Sequence, residues 1–426
     1  MLSCRCLRLS RHLTRALPPR APGTVQAMTT AQSITRACFC PVTGISISSQ
    51  QDGGNIEVLD MKQLSSMQLR ITPEPFCHTD GRSHFQWFSF QVAGVRHQPL
   101  AWTIVNAGEA SFASAWQGYS VCASYDLNHW FRVPTQYDQG SGALTVTHTP
   151  DHSLVHYAYF APYSWERHTQ LVARTQLHPE VTHRVIGHTL EGRPLDLLQV
   201  GSGGEGKKKV WVIARQHPGE TMAEFFMEGL LQRLTDCSDP VAHALLTGCV
   251  FYTIPNMCPD GSVRGHLRTN AAGANLNRHW AGPDPQLVPE VHATLAAMDQ
   301  SGVDLLLDVH GDEGLPYVFV AGNNGIPGWS PRLEALQQEF CAAFCGASPD
   351  FQTRYGYPTD PAGKANLRLA SKQVGQRFDA LSLTLEMPFK DTANAPRSET
   401  GWSPQRSAAL GAAILGAVLQ VMPKLR

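Results

Sequence analysis

The chain lacks an excess of charge of either sign, because 34 basic residues stand against 35 acidic ones and leave a formal net charge of -1. This balance does not indicate a nucleic-acid or membrane surface. The longest apolar stretch, residues 408–422, is interrupted by Gly411, Gly416 and Gln420 and is shorter than the ~20 residues that span a bilayer. We therefore expect neither a nucleic-acid nor a membrane partner.

The cysteines lack the spacing of common metal and redox motifs, because none of the 11 belongs to a Cys-x-x-Cys pair. Their number is odd, and a chain of 426 residues can bury a full core without disulfide bonds. Reduced thiols in an intracellular protein fit this pattern better than a disulfide framework does.

The N-terminal segment, residues 1–50, lacks acidic residues altogether, since the first one in the chain is Asp52. Arginines recur through the start of the chain among Ser, Leu and Ala, at Arg5, Arg8, Arg11, Arg15, Arg20 and Arg36. Such a composition is typical of a mitochondrial or plastid transit peptide. We expect residues 1–50 to be disordered and the protein to be cytoplasmic or, if this segment targets it, mitochondrial or plastid.

Two domains are expected after this segment. Residues 51–176 are rich in aromatic and β-branched residues in short runs broken by Gly, Pro, Asn and Asp, which predicts an antiparallel β-sandwich. In residues 177–426, buried strand-like runs alternate with helical patterns, which predicts an α/β sheet flanked by helices. The sandwich has no evident cluster of ligands or nucleophiles, so we expect it to pack against the second domain or to help receive a substrate.

Three predicted strand ends of the second domain carry residue types that bind metals: Arg-Gln-His-Pro-Gly-Glu at 215–220, Asp-Val-His at 308–310 and Thr-Leu-Glu at 384–386. In an open α/β sheet, reactive groups collect just past the carboxyl ends of the strands. His217 and Glu220 lie on one side of a turn, and His310 would supply a third ligand. A catalytic zinc site uses three such nitrogen and oxygen donors and keeps one position open for water.

Further candidates surround this set. Glu386 ends an apolar strand, where a buried carboxylate is costly unless it is paired with an arginine or has a function, here general base and then general acid. Arg278 with Asn277 can clamp a carboxylate, because the guanidinium fork binds it bidentately. Arg268 can stabilise the oxyanion that forms when water attacks a carbonyl. For any single arginine, a structural ion pair is the alternative.

Together these motifs resemble those of zinc metallocarboxypeptidases of the M14 family, and more narrowly those of the cytosolic carboxypeptidase branch. The resemblance extends over residues 55–420 and includes Pro-Asp-Gly at 259–261 and Tyr-Phe-Ala-Pro-Tyr-Ser at 159–164, which is similar to the motif that closes the N-terminal domain of that branch. It implies a carboxypeptidase-like mixed sheet flanked by helices, preceded by a β-sandwich, and one Zn2+ ion.

The resemblance also implies roles that agree with those suggested by the residue types. His217, Glu220 and His310 are the implied zinc ligands, and Glu386 is the implied general base. Arg268 would polarise the carbonyl group, and Asn277 and Arg278 would clamp the terminal carboxylate. The family removes C-terminal amino acids, and this branch often removes glutamates from polyglutamylated or acidic-tailed proteins such as tubulin. The implied partners are therefore peptide or protein C-terminal tails.

The chain departs from the digestive branch of the family at two places. An aspartate there orients a zinc-binding histidine, and the corresponding residue here is Asn275, as in the cytosolic branch. At the position of the tyrosine that closes over the substrate, this chain has Lys364; Tyr355 or Tyr357 is the alternative for that role.

The same loop carries Arg368 after Lys364, and a basic side chain in the pocket would suit an acidic C-terminal residue. We therefore expect a zinc-dependent metallocarboxypeptidase that prefers glutamate. Two alternatives stay open: a zinc amidohydrolase or deacylase acting on small N-acyl amino acids, and a catalytically inactive protein that binds acidic tails. The sandwich argues against the first alternative, and the retention of Glu386 with the three ligands argues against the second.

Overall fold

The structure is a computed structural model, and it describes residues 36–76, 81 and 83–426. The expected transit peptide falls mostly on residues 1–35, which lie outside the described residues. Residues 37–48 form the first two strands of the sandwich, so the prediction of disorder up to residue 50 is wrong there. The physical reason is burial, because Ile45 and Ile47 are fully buried in the sandwich core.

The N-terminal part is a β-sandwich, as predicted. Its described strands are β1 (Ala37–Cys40), β2 (Ile45–Ser48), β3 (Glu57–Asp60), β4 (Met67–Arg70), β5 (Ser89–Ala93), β6 (Leu100–Ile104), β7 (Val121–Ser124), β8 (Trp130–Val133), β9 (Thr135–Asp138), β10 (Ala143–His148) and β11 (Leu154–Ala158). The two sheets have the orders β1-β2-β5-β11-β7-β8 and β3-β4-β6-β10-β9. Neighbouring strands are antiparallel except β4 and β6, which are parallel.

Aromatic residues fill the core of the sandwich. The ring of Trp102 meets Phe90 and Tyr157 edge-on, with both centroid distances at 5.2 Å. Such geometry adds about 0.5–1.5 kcal/mol per pair to the free energy gained from burial alone. The aromatic residues on which the prediction of a sandwich rests therefore lie in its core.

The second part is a mixed sheet covered by helices, which confirms the predicted α/β class. Its strands are β12 (Val181–His188), β13 (Pro194–Val200), β14 (Lys208–Ala214), β15 (Cys249–Ile254), β16 (Leu305–Asp312), β17 (Phe319–Ala321) and β18 (Leu381–Pro388), in the order β12-β13-β15-β14-β16-β18-β17. Strands β15, β14, β16 and β18 are parallel, and the three outer strands pair antiparallel.

Eight α-helices are described: α1 (Trp165–Thr175), α2 (Met222–Leu234), α3 (Pro240–Gly248), α4 (Pro259–Arg264), α5 (Pro289–Ser301), α6 (Pro331–Ala347), α7 (Ala370–Phe378) and α8 (Pro404–Val421). The central strands are apolar on both faces because helices cover both. Along β14, Val210 and Val212 belong to one core, whereas Trp211 and Ile213 belong to the core on the other side. This two-sided burial fixes the register of the strands that carry the site.

By length and composition alone, the segment Pro404–Lys424 could span a membrane, since it has 21 residues and contains an 18-residue window with a mean hydropathy of 1.4. In the structure, Leu410, Ile414 and Val418 of α8 are buried in the core, and the helix packs closely against α2. A buried core helix of a globular protein can have the same composition as a membrane span, and the packing of α8 identifies it as a core helix.

The sandwich contacts the second domain directly. Nη2 of Arg132 on β8 donates to the carbonyl oxygens of Phe389 (2.8 Å) and Trp402 (3.1 Å), and its Nε donates to that of Thr400 (3.1 Å). The ring of Tyr159, just after β11, stacks on Phe389 with the centroids 4.5 Å apart. The segment after β18 is therefore held by the sandwich, which confirms the expectation that the sandwich packs against the second domain.

Candidate metal centre and active site

The three strand ends singled out in the sequence meet at one edge of the sheet. His217 and Glu220 lie in the turn between β14 and α2, and His310 lies near the end of β16. On the adjacent strand β18, Glu386 is the direct register partner of His310. The parallel arrangement of β14, β16 and β18 brings these four side chains to the same end, as the sequence predicts.

The geometry of the three predicted ligands suits one divalent ion. Nδ1 of His217 lies 2.7 Å from Oε1 of Glu220, and Nδ1 of His310 lies 2.8 Å from Oε2 of the same carboxylate. One ligand atom from each of the three lies within 4.8 Å of the others, and all three side chains are buried. Two imidazole nitrogens and one carboxylate form a donor set that zinc accepts in catalytic sites.

The outer nitrogens of both imidazoles are also held. Nε2 of His217 lies 3.1 Å from Oδ1 of Asn275, and Nε2 of His310 lies 3.0 Å from Oδ1 of Asp308. Asp308 in turn accepts two hydrogen bonds of 2.8 Å from the Gln216 side chain. These contacts fix the rings with Nδ1 toward the ion site. The role of Asp308 was missed, although a charged residue within an apolar strand was the available signal.

The electrostatics of the two histidines differ. Burial, followed by the charge of Arg268, lowers the pKa of His217 to about 3, so its imidazole is neutral and can bind a metal. Burial also lowers the pKa of His310, but Asp308 and Glu220 outweigh it and raise the pKa well above the ordinary value. Because an imidazole must be unprotonated to bind a metal through this nitrogen, we expect metal affinity to depend on pH.

The turn that carries His217 and Glu220 begins with a residue in left-handed conformation. Arg215 has φ of 58°, which is unfavourable for a side chain other than glycine. Its guanidinium compensates by donating to the carbonyl oxygens of Pro218 (2.8 Å) and Tyr163 (2.9 Å) and by pairing with the buried Glu224. Such strain persists only where the surroundings hold it, and here it sets the direction of the metal-binding turn.

Glu386 is buried beside this site and has few partners. The hydroxyl of Tyr357 lies 3.3 Å from its Oε1, whereas among the described residues its Oε2 has no hydrogen-bond partner. Burial raises the pKa of Glu386 well above the ordinary value, with His310 opposing. Of the two tyrosines considered, Tyr357 is the one that reaches Glu386. Tyr355 stacks on Tyr317 with the centroids 4.3 Å apart.

Arg268 lies between the site and the sandwich. Its Cζ stands 5.2 Å from the centre of the Phe112 ring, and the charge of Arg268 acts on both His217 and Glu313. Glu313 is buried, and burial raises the pKa of its carboxyl group despite Arg268. Glu313 is not among the candidate residues named from the sequence, although it lies only three residues after His310.

The remaining candidates are spread over two loops. Oδ1 of Asn277 accepts from the backbone N–H of Ala370 (2.8 Å), and its Nδ2 lies 3.4 Å from Nε2 of His310. Nε of Arg368 donates to the carbonyl oxygen of Arg278 (2.9 Å), so these two residues lie side by side. The carboxylate clamp formed by Asn277 and Arg278 stays a prediction.

Lys364 occupies an exposed turn. Its backbone N–H donates to the carbonyl oxygen of Pro361 (3.0 Å), and its side chain is exposed. Of the two basic candidates for a specificity pocket, Arg368 is therefore the one that contacts the predicted clamp.

Known proteins share this architecture. Residues 168–324 match the family described as zinc carboxypeptidase, and residues 47–160 match the cytosolic carboxypeptidase N-terminal domain. The structure of a metallo-carboxypeptidase from Burkholderia cenocepacia is 47% identical, with a TM-score of 0.83 over 88% of this chain and 98% of that chain. The chain belongs to the M14 zinc carboxypeptidase family. This confirms the resemblance on which the sequence analysis relies, and it makes the protein a metallocarboxypeptidase.

Other M14 relatives define how far the likeness extends. The metallo-carboxypeptidase from Pseudomonas aeruginosa, in complex with (2-guanidinoethylmercapto)succinic acid, is 45% identical with a TM-score of 0.85, covering 89% of this chain and all of that chain. Mouse cytosolic carboxypeptidase 4 is 28% identical over 290 residues, which are 56% of this chain and 25% of the mouse protein. The chain therefore matches about a quarter of the length of that mammalian relative.

Proposed function

We propose that this metallocarboxypeptidase hydrolyses the last peptide bond of peptide or protein tails with Glu386 as general base, and that it prefers a C-terminal glutamate. The observation that supports the catalytic part is the register pairing of Glu386 with His310, which places a carboxylate with an uncommitted Oε2 beside the predicted ligands. A buried acid in that position has a function rather than a structural partner.

Each predicted residue has a defined task in this reaction. A zinc ion held by the three ligands would supply a Lewis acid for the carbonyl and lower the pKa of a water molecule. Glu386 accepts a proton from the water whose oxygen attacks the carbonyl carbon. When the carbon–nitrogen bond breaks, Glu386 returns that proton to the leaving amine.

The arginines handle the negative charges of the substrate. The Arg268 guanidinium stabilises the charge that develops on the carbonyl oxygen during attack, a contribution that grows toward the transition state. Arg278 binds the terminal carboxylate, with Asn277 beside it, and so selects a chain end over an internal peptide bond. The family acts on C-terminal residues, which is the outcome that this arrangement favours.

The preference for glutamate is supported by the position of Arg368. Its guanidinium contacts the backbone of Arg278, so a side-chain carboxylate of the last residue could reach it while the terminal carboxylate binds Arg278. A basic C-terminal residue is the second candidate. It is favoured by the buried Glu313 and by the guanidinium-bearing ligand of the Pseudomonas relative.

The decisive experiment compares peptides that differ only in the last residue, Glu, Arg or Leu, by mass spectrometry with and without a chelator. We expect the Glu peptide to be cleaved fastest and the chelator to stop every reaction. Arg368→Gln should slow the Glu peptide by roughly 10-fold or more and leave the Leu peptide unchanged, because it removes one charged hydrogen bond. Lys364→Gln is the matched control and should cleave both peptides at the parent rate. If the Arg peptide were cleaved faster than the Glu peptide, the enzyme would prefer a basic C-terminal residue instead of glutamate.

The same assay tests the other hypotheses. A deacylase would cleave N-acetyl-glutamate faster than any of the peptides, and a protein that only binds tails would cleave nothing. Glu386→Gln should lower kcat by about 10²–10⁴-fold while the protein keeps its zinc and still binds the peptide, since only proton transfer is lost. If the substituted enzyme turned over at the parent rate, Glu386 would not be the general base.

A further inference from the structure

The loop that carries Arg268 is held by a carboxylate of the N-terminal sandwich. Oε1 of Glu74 accepts hydrogen bonds from the backbone N–H groups of Leu267 (2.6 Å) and Arg268 (2.8 Å). Its Oε2 accepts from the N–H of Thr269 (3.1 Å) and from the hydroxyl of the same residue. Four donors from three consecutive residues thus converge on one carboxylate.

This carboxylate is deeply buried, since Glu74 is only 5% exposed. Burial raises the pKa of Glu74 to about 7, with the hydrogen bonds from Thr269, Arg268 and Leu267 opposing that effect. A buried carboxyl group is costly unless hydrogen bonds compensate it, and these donors suit its ionised form. The sandwich therefore places a buried carboxyl group against the loop, and the donors of the loop offset part of the cost of burying it.

A second contact from the sandwich fixes the side chain of Arg268. The Phe112 ring lies 5.2 Å from the guanidinium carbon, within the range of a cation–π interaction. The backbone N–H of Phe112 donates to Oε1 of Gln86 (2.8 Å), which anchors the ring within the sandwich. Glu74 thus holds the backbone of Arg268, and Phe112 limits the positions of its guanidinium.

The same loop is joined to the metal-binding turn. The backbone N–H of Gly219, next to Glu220, donates to the carbonyl oxygen of Leu267 (2.9 Å). A Cβ atom on Gly219 would stand 3.0 Å from Cα of Leu267, so the close approach of the two backbones favours glycine. The segment that Glu74 holds is thus also joined by a backbone hydrogen bond to the turn that carries His217 and Glu220.

We propose that Glu74 is a positioning residue for Arg268: the sandwich, through Glu74 with Phe112, sets the place of the guanidinium that stabilises the oxyanion. This proposal rests on the role of Arg268 given under the proposed function. It assigns to the N-terminal domain a part in the chemical step, beyond packing. A purely structural role for Glu74 would instead affect folding and all steps alike.

The test is a double-mutant cycle on the full chain, with kcat, KM, zinc content and thermal stability measured for each variant. Glu74→Gln should lower kcat by about 10- to 100-fold with little change in KM, because a small displacement of a charge-stabilising group acts mainly on the transition state. In the Arg268→Ala background, Glu74→Gln should lower kcat by less than about 2-fold further, since its effect passes through Arg268. Glu109→Gln, an exposed Glu on the same domain, is the control and should match the parent.

The outcomes separate this inference from the one on which it rests. If Arg268→Ala leaves kcat unchanged, the proposed role of Arg268 fails. If Arg268→Ala is impaired but Glu74→Gln retains the parent kcat, or lowers it equally in both backgrounds, the role of Glu74 is overturned. Should Glu74→Gln lose zinc or fail to fold, Phe112→Leu replaces it in the double-mutant cycle. We expect Phe112→Leu to lower kcat in the parent but not in the Arg268→Ala background.

Discussion

The hydroxyl of Tyr357 lies 2.5 Å from Oδ2 of Asp312 and 3.3 Å from Oε1 of Glu386. One phenol thus connects the acid at the end of β16 with the acid on β18. Burial, and after it the charge of Glu386, raises the pKa of Tyr357 above its ordinary value, so the hydroxyl stays protonated and donates. The loop before α7 is thereby anchored at the rim of the site.

Tyr357→Phe should lower kcat/KM by roughly 10-fold, because the loop loses its charge-assisted hydrogen bond next to Glu386, the proposed general base. Steady-state kinetics on the preferred peptide checks this. Tyr355→Phe is the matched control: its ring stacks on Tyr317, and removal of its hydroxyl should leave both kcat and KM at the parent values. A larger loss for Tyr355→Phe than for Tyr357→Phe would reverse the assignment.

Asp308→Asn should weaken zinc binding by about 10- to 100-fold, since Nε2 of His310 loses its carboxylate partner. Competition with a chromogenic chelator measures this affinity. Asp304→Asn, on the chain just before β16 and away from the ligands, should bind zinc like the parent. Equal zinc affinity for Asp308→Asn and the parent would show that the contact between Asp308 and His310 does not contribute to zinc binding.

His168 should make stability dependent on pH. Burial alone would lower its pKa, but hydrogen bonds to Asp196 and Glu224 outweigh it and raise the pKa to about 9. A group whose pKa is higher in the folded state stabilises below its unfolded pKa, near 6.5, and this contribution is lost as the pH rises to about 9. The slope is ~1.4 kcal/mol per pH unit for a single proton.

Urea unfolding of the parent and of His168→Gln over pH 6 to 10 isolates this effect as the difference between the two curves. We expect the difference in unfolding free energy to shrink as the pH rises through the window from about 6.5 to 9. His129→Gln, which replaces an exposed histidine paired with Asp126, should follow the parent curve. A difference that stays constant with pH would mean that His168 is neutral in the folded protein.

Gly411→Ala should destabilise the protein by about 1–3 kcal/mol, because a Cβ atom there would stand 2.0 Å from the carbonyl oxygen of Phe226 on α2. Gly416→Ala on the same helix is the control. Its Cβ would meet nothing nearer than 3.8 Å, so alanine should be neutral or stabilise by up to ~1 kcal/mol. Urea unfolding of both variants checks the pair, and equal midpoints would contradict the close packing of α2 and α8.

The candidate metal centre was predictable because its proposed ligands follow strands whose apolar runs are visible in the sequence. His217, His310 and Glu386 each stand at such an end, and parallel pairing brings the ends together. The contact of Glu74 with Arg268 was not predictable, since the two residues are 194 positions apart and lie in different domains. No periodic pattern reports which loop of a sandwich will face which loop of another domain.

Spacing along the chain does not locate the tyrosine that lies beside Glu386. The position expected for a closing tyrosine falls on Lys364, whereas the side chain that reaches Glu386 belongs to Tyr357. A loop without regular structure does not preserve distance along the chain as a strand or helix does, so equal spacing does not imply an equal position in space. The domain boundary near residue 50 was misplaced because β1 and β2 have only four residues each and follow a segment rich in arginine and free of acidic residues.

The four hydrogen bonds from Arg132 to the segment after β18, one from its backbone and three from its side chain, also bear on how a substrate enters. Swinging the sandwich aside would break all of them, at a cost of several kcal/mol. The position of this segment relative to the sandwich is thus fixed. We therefore expect a substrate to enter without a swing of the sandwich, so that an unfolded, extended terminus is cleaved faster than one that belongs to a helix or sheet.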